Sequence, residues 1–350
     1  MNIAIISSPF VPVPPVKYGG TERVIYYLIK GLQEQGHKVT LFATGDSQVD
    51  CELVPITEKH LFFGANKKEQ EAIKERSQEI ERYTNQLIRE RIDEFDIIHS
   101  HGFDLIQFQD IPNVTTLHGM FTFDDMDYYE DRKGLYFVSI SENQQDPFPD
   151  LEYVGVAYNG MDPGEFPFVE KTQDYLCFLG RLDPEKNPHQ AIELAIGVNM
   201  PIKLAGKIDH LGSDYFQKEV KPLLDHPLVE FLGEIGMEEK IKLLSNARIN
   251  LHPTNFREPF GLTIIEAAYC GTPTIAIRRG SMGELIEDGR SGILVEDFVE
   301  AYHRVEECLN IDRNYVSQRA RLLFNYQTMT KSYIEAYKQA IKLFGEKQST

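Results

Sequence analysis

The chain has 350 residues, 42% of them hydrophobic, and a formal net charge of -18, the composition of a water-soluble protein with apolar material enough for two domains. That acidic balance opposes a phosphate backbone, so no nucleic-acid partner is expected, and no apolar run reaches the ~18 residues of a membrane span. Cys51, Cys177, Cys270 and Cys308 follow neither a zinc nor a disulfide spacing and MNIAIISSPF lacks a basic leader, so the expectation is a cytoplasmic chain with no transmembrane segment and no indicated membrane contact.

Taken in chain order, IAIIS at 3–7, the helix-period GTERVIYYLIKGLQEQG at 20–36 and KVTLFAT at 38–44 open a β-α-β series. Residues 67–93 are densely charged, with Ile73, Ile80 and Leu87 recurring on one face, the pattern of a solvated amphipathic helix. FDIIHSH, NVTTLHG and LYFVSIS then supply strand-like cores followed by polar loops. Residues 154–173, VGVAYNGMDPGEFPFVEKTQ, hold much Pro and Gly with no sustained period and read as a linker. Beyond them YLCFLGRL, PIKLAGK, VEFLGE, ARINLHP, TPTIAI and SGILVED alternate with helix-length segments in the same grammar. The expected fold class is therefore α/β, as two domains with open parallel sheets facing a central cleft.

Open parallel sheets bind ligands beyond the carboxyl ends of their strands. In the loop VPPVKYGGTE, Gly19 and Gly20 allow the backbone to approach a ligand and present amides to phosphate, and Thr21 is placed to cap the next helix. Neither GxGxxG nor GxxxxGK[ST] occurs. His99, His101 and His118 stand near strand ends, with no carboxylate or cysteine at a familiar metal spacing, so no metal is expected. Gly119 follows His118 and leaves that imidazole at the sheet's edge. GRLDPEKN sets Arg181 and Lys186 just after a strand as two fixed cations suited to a diphosphate. After ARINLHP, Glu258 precedes a helix and Glu266 lies about one turn inside it, while the Phe260, Gly261 and Leu262 amides at the helix tip favour an anion. This suits a sugar on Glu258, a ribose on Glu266 and a diphosphate between. A hydrolase built on the two carboxylates is the rival chemistry, and it leaves Arg181 and Lys186 unused.

The stretch EPFGLTIIEAAYCGTP resembles the glutamate-x7-glutamate signature of retaining GT-B glycosyltransferases. YGGTERV, LHG, GRLDPEKN, VEFLGEIG and GSMGELIEDGRSGILV occur in that family's order, so the resemblance spans the core of both domains. It implies the GT-B fold, with two Rossmann-like α/β/α domains: residues 1–157 for the acceptor, residues 158–326 for a nucleotide-sugar donor, and a helix at about 327–344 packing back on the first. It further implies retaining transfer of a hexosyl group from a nucleotide-diphosphate sugar, a UDP-sugar favoured, to an acceptor hydroxyl, with no cofactor and no metal. Residue by residue, His118 resembles the family's histidine beside the transferred sugar, Arg181 and Lys186 its diphosphate pair, and Glu258 its sugar-hydroxyl contact. Glu266 resembles its ribose ligand, Ile235 its backbone contact to the base, and Gly20, next to Gly19, the glycine whose loop closes on the phosphates. The family's usual Gly-Gly reads Gly280-Ser281 here. A nucleotide-sugar epimerase or a phosphorylase on the same fold, or a non-catalytic sugar-nucleotide binding protein, are the alternatives. The acceptor is not identified; HGFDLIQFQD and MFTFDDMDYYEDR are the segments expected to build its site.

Overall fold

A computed structural model of the chain describes residues 1–16, 19–61, 67–120, 128–129, 131–132, 134–208 and 213–349. In chain order the strands are β1 (Asn2–Ile6), β2 (Lys38–Thr44), β3 (Glu52–Thr57), β4 (Ile97–Ser100), β5 (Asn113–Leu117), β6 (Phe137–Ser139), β7 (Tyr153–Val156), β8 (Leu176–Leu179), β9 (Ile202–Ala205), β10 (Val229–Phe231), β11 (Ile249–His252), β12 (Thr274–Ile277) and β13 (Gly292–Val295). The longer helices are α1 (Gly20–Glu34), α2 (Lys67–Glu90), α3 (Pro188–Gly197), α4 (Met237–Asn246), α5 (Leu262–Tyr269), α6 (Ala301–Leu309), α7 (Arg313–Leu323) and α8 (Tyr326–Gln348). The chain divides into two compact units, Met1–Met161 with Tyr326–Thr350, and Asp162–Asn325.

The first unit is built on one sheet in the order β3-β2-β1-β4-β5-β6-β7, with every neighbouring pair parallel. Ile3, Ala4, Ile5 and Ile6 of β1 are fully buried, as a central parallel strand requires, since it has crossover helices over both faces. Two strands depart from the sequence expectation. β3, ELVPIT, was hidden by Pro55, which a sheet tolerates at the edge position that β3 occupies. β7 overlaps the start of the stretch read as linker: Tyr153–Val156 forms the other edge of the sheet, so the irregular connection begins only after it. Thr21 does not cap α1 either. The cap position is Gly19, at φ 148°, with no side-chain cap bond, and Thr21 lies within the helix.

The second unit repeats the architecture in the order β10-β9-β8-β11-β12-β13, again all parallel. Its core is the apolar alternation of these strands, Leu176 and Phe178, Ile202 and Leu204, Ile249 and Leu251, packed against Ala191, Ile192 and Ala195 of α3 and Val305 of α6. In both sheets the strand order reverses once, between β1 and β4 in the first unit and between β8 and β11 in the second. Diverging crossovers leave a crevice at such a point, so the loops after these four strands are where a ligand is expected.

α8 belongs to the first unit although it closes the chain. Its buried residues Tyr326, Met329, Thr330, Tyr333, Ala336, Tyr337 and Ala340 form a single helical stripe. Gly31 of α1 is the contact that admits it: a Cβ there would stand 2.0 Å from Thr330 Oγ1 and 2.9 Å from Thr330 Cβ. Among the described residues no helix is long and apolar enough to cross a membrane. Gly31→Val is expected to destabilise the first unit by about 2–3 kcal/mol through overpacking. Thr330→Ala should recover part of that loss, a coupling that chemical denaturation of the two single variants and the double variant measures.

Candidate active site

In the second unit the site is assembled by three glycines at strand ends. A Cβ on Gly206, after β9, would fall 1.7 Å from the Gly180 carbonyl oxygen that follows β8, and the Gly206 amide donates to Gly233 O at 2.9 Å after β10. Backbone meets backbone here because no side chain intervenes. The crowding draws the GRLDPEKN and FLGEIG loops together. Ile235, in the second of these, is half-buried between Gly233, at φ 72°, and Gly236, the N-cap of α4.

The loops after β8 and β11 are laced directly: the Asn255 amide donates to Glu185 O at 2.9 Å, and Asn187 Nδ2 donates to Pro253 O at 3.2 Å. Between them lies Glu258. Its Oε1 accepts from Lys186 Nζ at 2.6 Å and its Oε2 meets His252 Nε2 at 2.6 Å, with Thr254 Oγ1 3.0 Å from the same ring nitrogen. Burial pushes the Glu258 carboxyl up, but the Lys186 and His252 charges and their hydrogen bonds outweigh it and hold the group well below the usual carboxylate range. A carboxyl held that low is a poor general acid at neutral pH, so Glu258 does not suit the acid role of a two-carboxylate hydrolase.

Gly280 and Ser281 fix Glu258 from behind. Gly280, at φ 61°, leaves room where a Cβ would meet the Glu258 nitrogen and carbonyl oxygen at 2.6 and 2.5 Å. The Ser281 amide donates to Glu258 O at 3.0 Å, and its hydroxyl bonds the Phe260 carbonyl. The Gly-Ser pair therefore keeps a glycine where the backbone needs one. Arg181 is less exclusively available than its sequence position implied: Nη1 lies 3.0 Å from Asp183 and Nη2 2.7 Å from Glu185.

Phe260 is buried edge-on against Phe324, and Gly261, at φ 122°, turns the chain into α5, which begins at Leu262. The first amides of a helix have no intrahelical acceptor, so this tip is an anion-favouring position beside Lys186 and Glu258. Glu266, one turn in, is buried and pairs with Lys240 of α4.

In the first unit, Gly19 is forced by Pro15 and Val11, whose side chains would meet a Cβ at 2.6 and 2.9 Å, and Gly20 starts α1. Lys17 and Tyr18 of this loop lie outside the described residues. The three strand-end histidines separate into two roles. His99 is buried in the core, its Nδ1 2.7 Å from the Tyr337 hydroxyl and its Nε2 2.7 Å from Thr116 Oγ1. His101 Nδ1 instead meets His118 Nε2 at 2.7 Å, at the rim of the sheet. Burial pushes His118 down to about 4 and His101 well below the ordinary histidine value. No group of residues among those described has the make-up of a metal site.

Sequence reasoning missed His252 and Lys240. His252 closes β11 just before the signature and was legible as a strand-end residue; Lys240 sits in MEEKIK, indistinguishable from a solvated helical turn until its partner is known.

Residues 165–322 match the family model of glycosyl transferases group 1, and residues 18–146 match that of glycosyltransferase family 4. The chain is a group 1, family 4-like glycosyltransferase. Glycogen synthase of Mycobacterium tuberculosis is 24% identical to it over 99% of this chain and 96% of its own length. Sucrose-phosphate synthase from Thermosynechococcus elongatus superposes with a TM-score of 0.78 at 18% identity, covering 98% of this chain and 100% of that one. Anabaena HepE in complex with UDP and glucose does so with a TM-score of 0.74 at 19% identity, covering 97% and 99%. These likenesses establish the GT-B fold.

Two paired histidines of the glycosyltransferase's first unit carry a pH signature. Folded His101 and His118 hold protons only at a pH below the ordinary value of about 6.5, whereas the unfolded chain takes them near it. Stability from keeping them neutral is thus present above about pH 6.5 and lost as pH falls toward their lowered folded values, about 4 for His118. Thermal unfolding across that window should show the loss, and His118→Asn should reduce it while the shares of His99 and His101 remain.

Proposed function

We propose that this glycosyltransferase moves a hexosyl group from a nucleotide-diphosphate sugar, a UDP-sugar in the first instance, to an acceptor hydroxyl with retention at the anomeric carbon and without a metal ion. The observation that carries the reading is the Lys186–Glu258–His252 cluster at the sheet's switch point, set beside the α5 tip and the Glu266–Lys240 pair. The second unit is then the donor unit and the first the acceptor unit.

In this reading Lys186 and the α5 amides receive the diphosphate and stabilise the charge that develops on it as the glycosidic bond breaks, the work a metal ion does elsewhere. Arg181 joins by exchanging a carboxylate partner for phosphate, for which its half-exposed position at the loop is suited. Glu258, oriented by Lys186 and His252, accepts from a sugar hydroxyl. Glu266 holds the ribose, the Ile235 backbone meets the base, and the Gly19-Gly20 loop presents amides. His118 faces the transferred sugar as a neutral hydrogen-bonding group. No side chain serves as a covalent nucleophile. The UDP preference draws on HepE, whose complexes contain UDP, UDP and glucose, or UDP-glucose. A cytoplasmic location accords with this donor.

Transfer followed by NMR of the product's anomeric proton tests retention, and an inverted product overturns it. Activity is expected to survive EDTA and to fall by about 100-fold or more on Lys186→Ala, as loss of a leaving-group contact implies. Strict dependence on a divalent cation would contradict this.

The two glutamates should separate kinetically. Ribose contacts change little during bond cleavage, so Glu266→Gln should weaken UDP binding by about 1–3 kcal/mol. Glu258→Gln should lower turnover with UDP affinity nearly intact, because its contact is to the group that gains positive character. Calorimetric UDP titration beside initial rates reads both, and equal loss of UDP affinity in the two variants refutes the division.

A further inference from the structure

The side-chain amide of Gln144 grips the chain on both sides of His118. Gln144 lies in the short turn Asn143–Gln145 that follows β6, and it is only 5% exposed. Its Nε2 donates to Leu117 O and to Gly119 O, each at 2.9 Å, while its Oε1 accepts from the Ile140 amide at 2.8 Å. Two carbonyls at one end and an N–H at the other fix which way the group faces, since the flipped amide would set oxygen against oxygen. The turn is itself held, by the Gln144 backbone amide on Ser141 Oγ at 3.2 Å and by Gln145 Nε2 on Ser139 Oγ at 2.9 Å.

The grip falls where other constraints give out. β5 and β6 are paired up to Leu117 and Ser139, so His118 is the first residue past the ladder. Gly119 after it is exposed, and a Cβ there would meet no described atom within 4 Å. A glycine so placed has wide backbone freedom, which the bond from Gln144 to its carbonyl restricts. The His118 ring is steered separately by His101, whose Nδ1 lies 2.7 Å from His118 Nε2, and the two histidines line a cavity of about 260 Å³.

Burial pushes the His118 imidazole down to about 4, so at neutral pH it acts through the direction of a hydrogen bond and not through charge. A group of that kind depends on placement, and an error of about 1 Å can cost about 100-fold in rate.

We propose that Gln144 is a positioning residue for His118, holding the backbone that presents the imidazole while His101 holds the ring. Its part in the reaction is played through His118 alone. The catalytic consequence rests on the reading of His118 as the neutral group facing the transferred sugar; the placement of the ring does not.

The test uses the full chain with isotope-labelled histidines and two substitutions. Gln144→Met keeps the length of the side chain and removes all three bonds. Gln144→Asn keeps an amide, one methylene too short to reach both carbonyls and the Ile140 N–H together, and guards against a folding defect in the first variant. In both, NMR should show the His118 ring signals displaced while those of His99, held by Thr116 and Tyr337, stay. Hydrolysis of UDP-glucose, with water in place of the acceptor, should slow by about tenfold or more in kcat. Affinity for UDP, which lacks the sugar, should hold within about twofold. In a His118→Ala background, Gln144→Met should cost no further rate, the coupling expected of residues that act as one unit. His118 signals unmoved in both variants overturn the proposal. So does an equal rate loss with and without His118, the mark of a merely structural role. If the wild-type chain releases no UDP the donor reading falls, and if His118→Ala turns over unimpaired the sugar role of His118 falls; in either case the NMR arm alone decides for Gln144.

Discussion

A carboxylate withdrawn from water must be answered by cations and hydrogen bonds, and in the second unit that requirement organises everything around it. Glu258 reaches Lys186 on the loop after β8 and His252 at the end of β11, strands that are neighbours only because the sheet reverses its order there. Removing either partner leaves the buried carboxylate with one charge partner fewer, so the pairing ties the two loops together as well as orienting the side chain. The backbone contacts repeat the arrangement. Asn255 bonds Glu185, Asn187 bonds Pro253, and Gly280 yields the space in which the Glu258 backbone lies.

The first unit solves a comparable problem with neutral groups. His99 and Thr116 point polar atoms into the core from β4 and β5, and α8 returns from the far end of the chain to satisfy them with the hydroxyls of Tyr337 and Tyr333. A segment that adds only apolar burial is replaceable; one that also pairs buried polar atoms is specific in register. This accounts for α8 belonging with residues 1–161 although 164 residues of the other unit, Asp162–Asn325, separate them in sequence. Gly155 of β7 and Gly31 of α1 complete the seat, since a Cβ at the first would touch Ala336 at 3.4 Å and at the second would overlap Thr330.

Much of this was readable in the sequence for a physical reason. Parallel strands buried on both faces must be apolar runs, so IAII, DIIHS, LCFL and INLH announce themselves. Edge strands carry no such obligation, and β3 with Pro55 and β7 with Gly155 passed as irregular chain. At the site, Glu258, Lys186 and the α5 tip were legible because each follows a strand and combines charge with a turn residue. Their partners were not: Lys240 looks like any lysine on a charged helix, and that His99 is core while His101 lines a cavity depends on which neighbours the fold supplies. Thr21 shows the same limit at short range, since its residue type suits a cap but the cap position falls two residues earlier, at Gly19.

On the proposed reading a chain with a formal net charge of -18 takes an anionic donor, and it then needs a place where the local field opposes the global one. The fold does not supply it as a surplus of positive charge, because Arg181 is matched by Asp183 and Glu185, Lys186 by Glu258, and Lys240 by Glu266. What it supplies is cations already positioned, with their desolvation largely met by carboxylates, beside a helix tip whose amides carry no counter-charge. On the proposed reading, an arriving diphosphate adds ligands to cations that are held in place, and the free energy of ordering them is spent in folding rather than at binding. The carboxylates are then not competitors to be expelled. Glu258 stays against Lys186 and turns its remaining lone pairs to the sugar, which makes one buried ion pair serve both the leaving group and the group transferred.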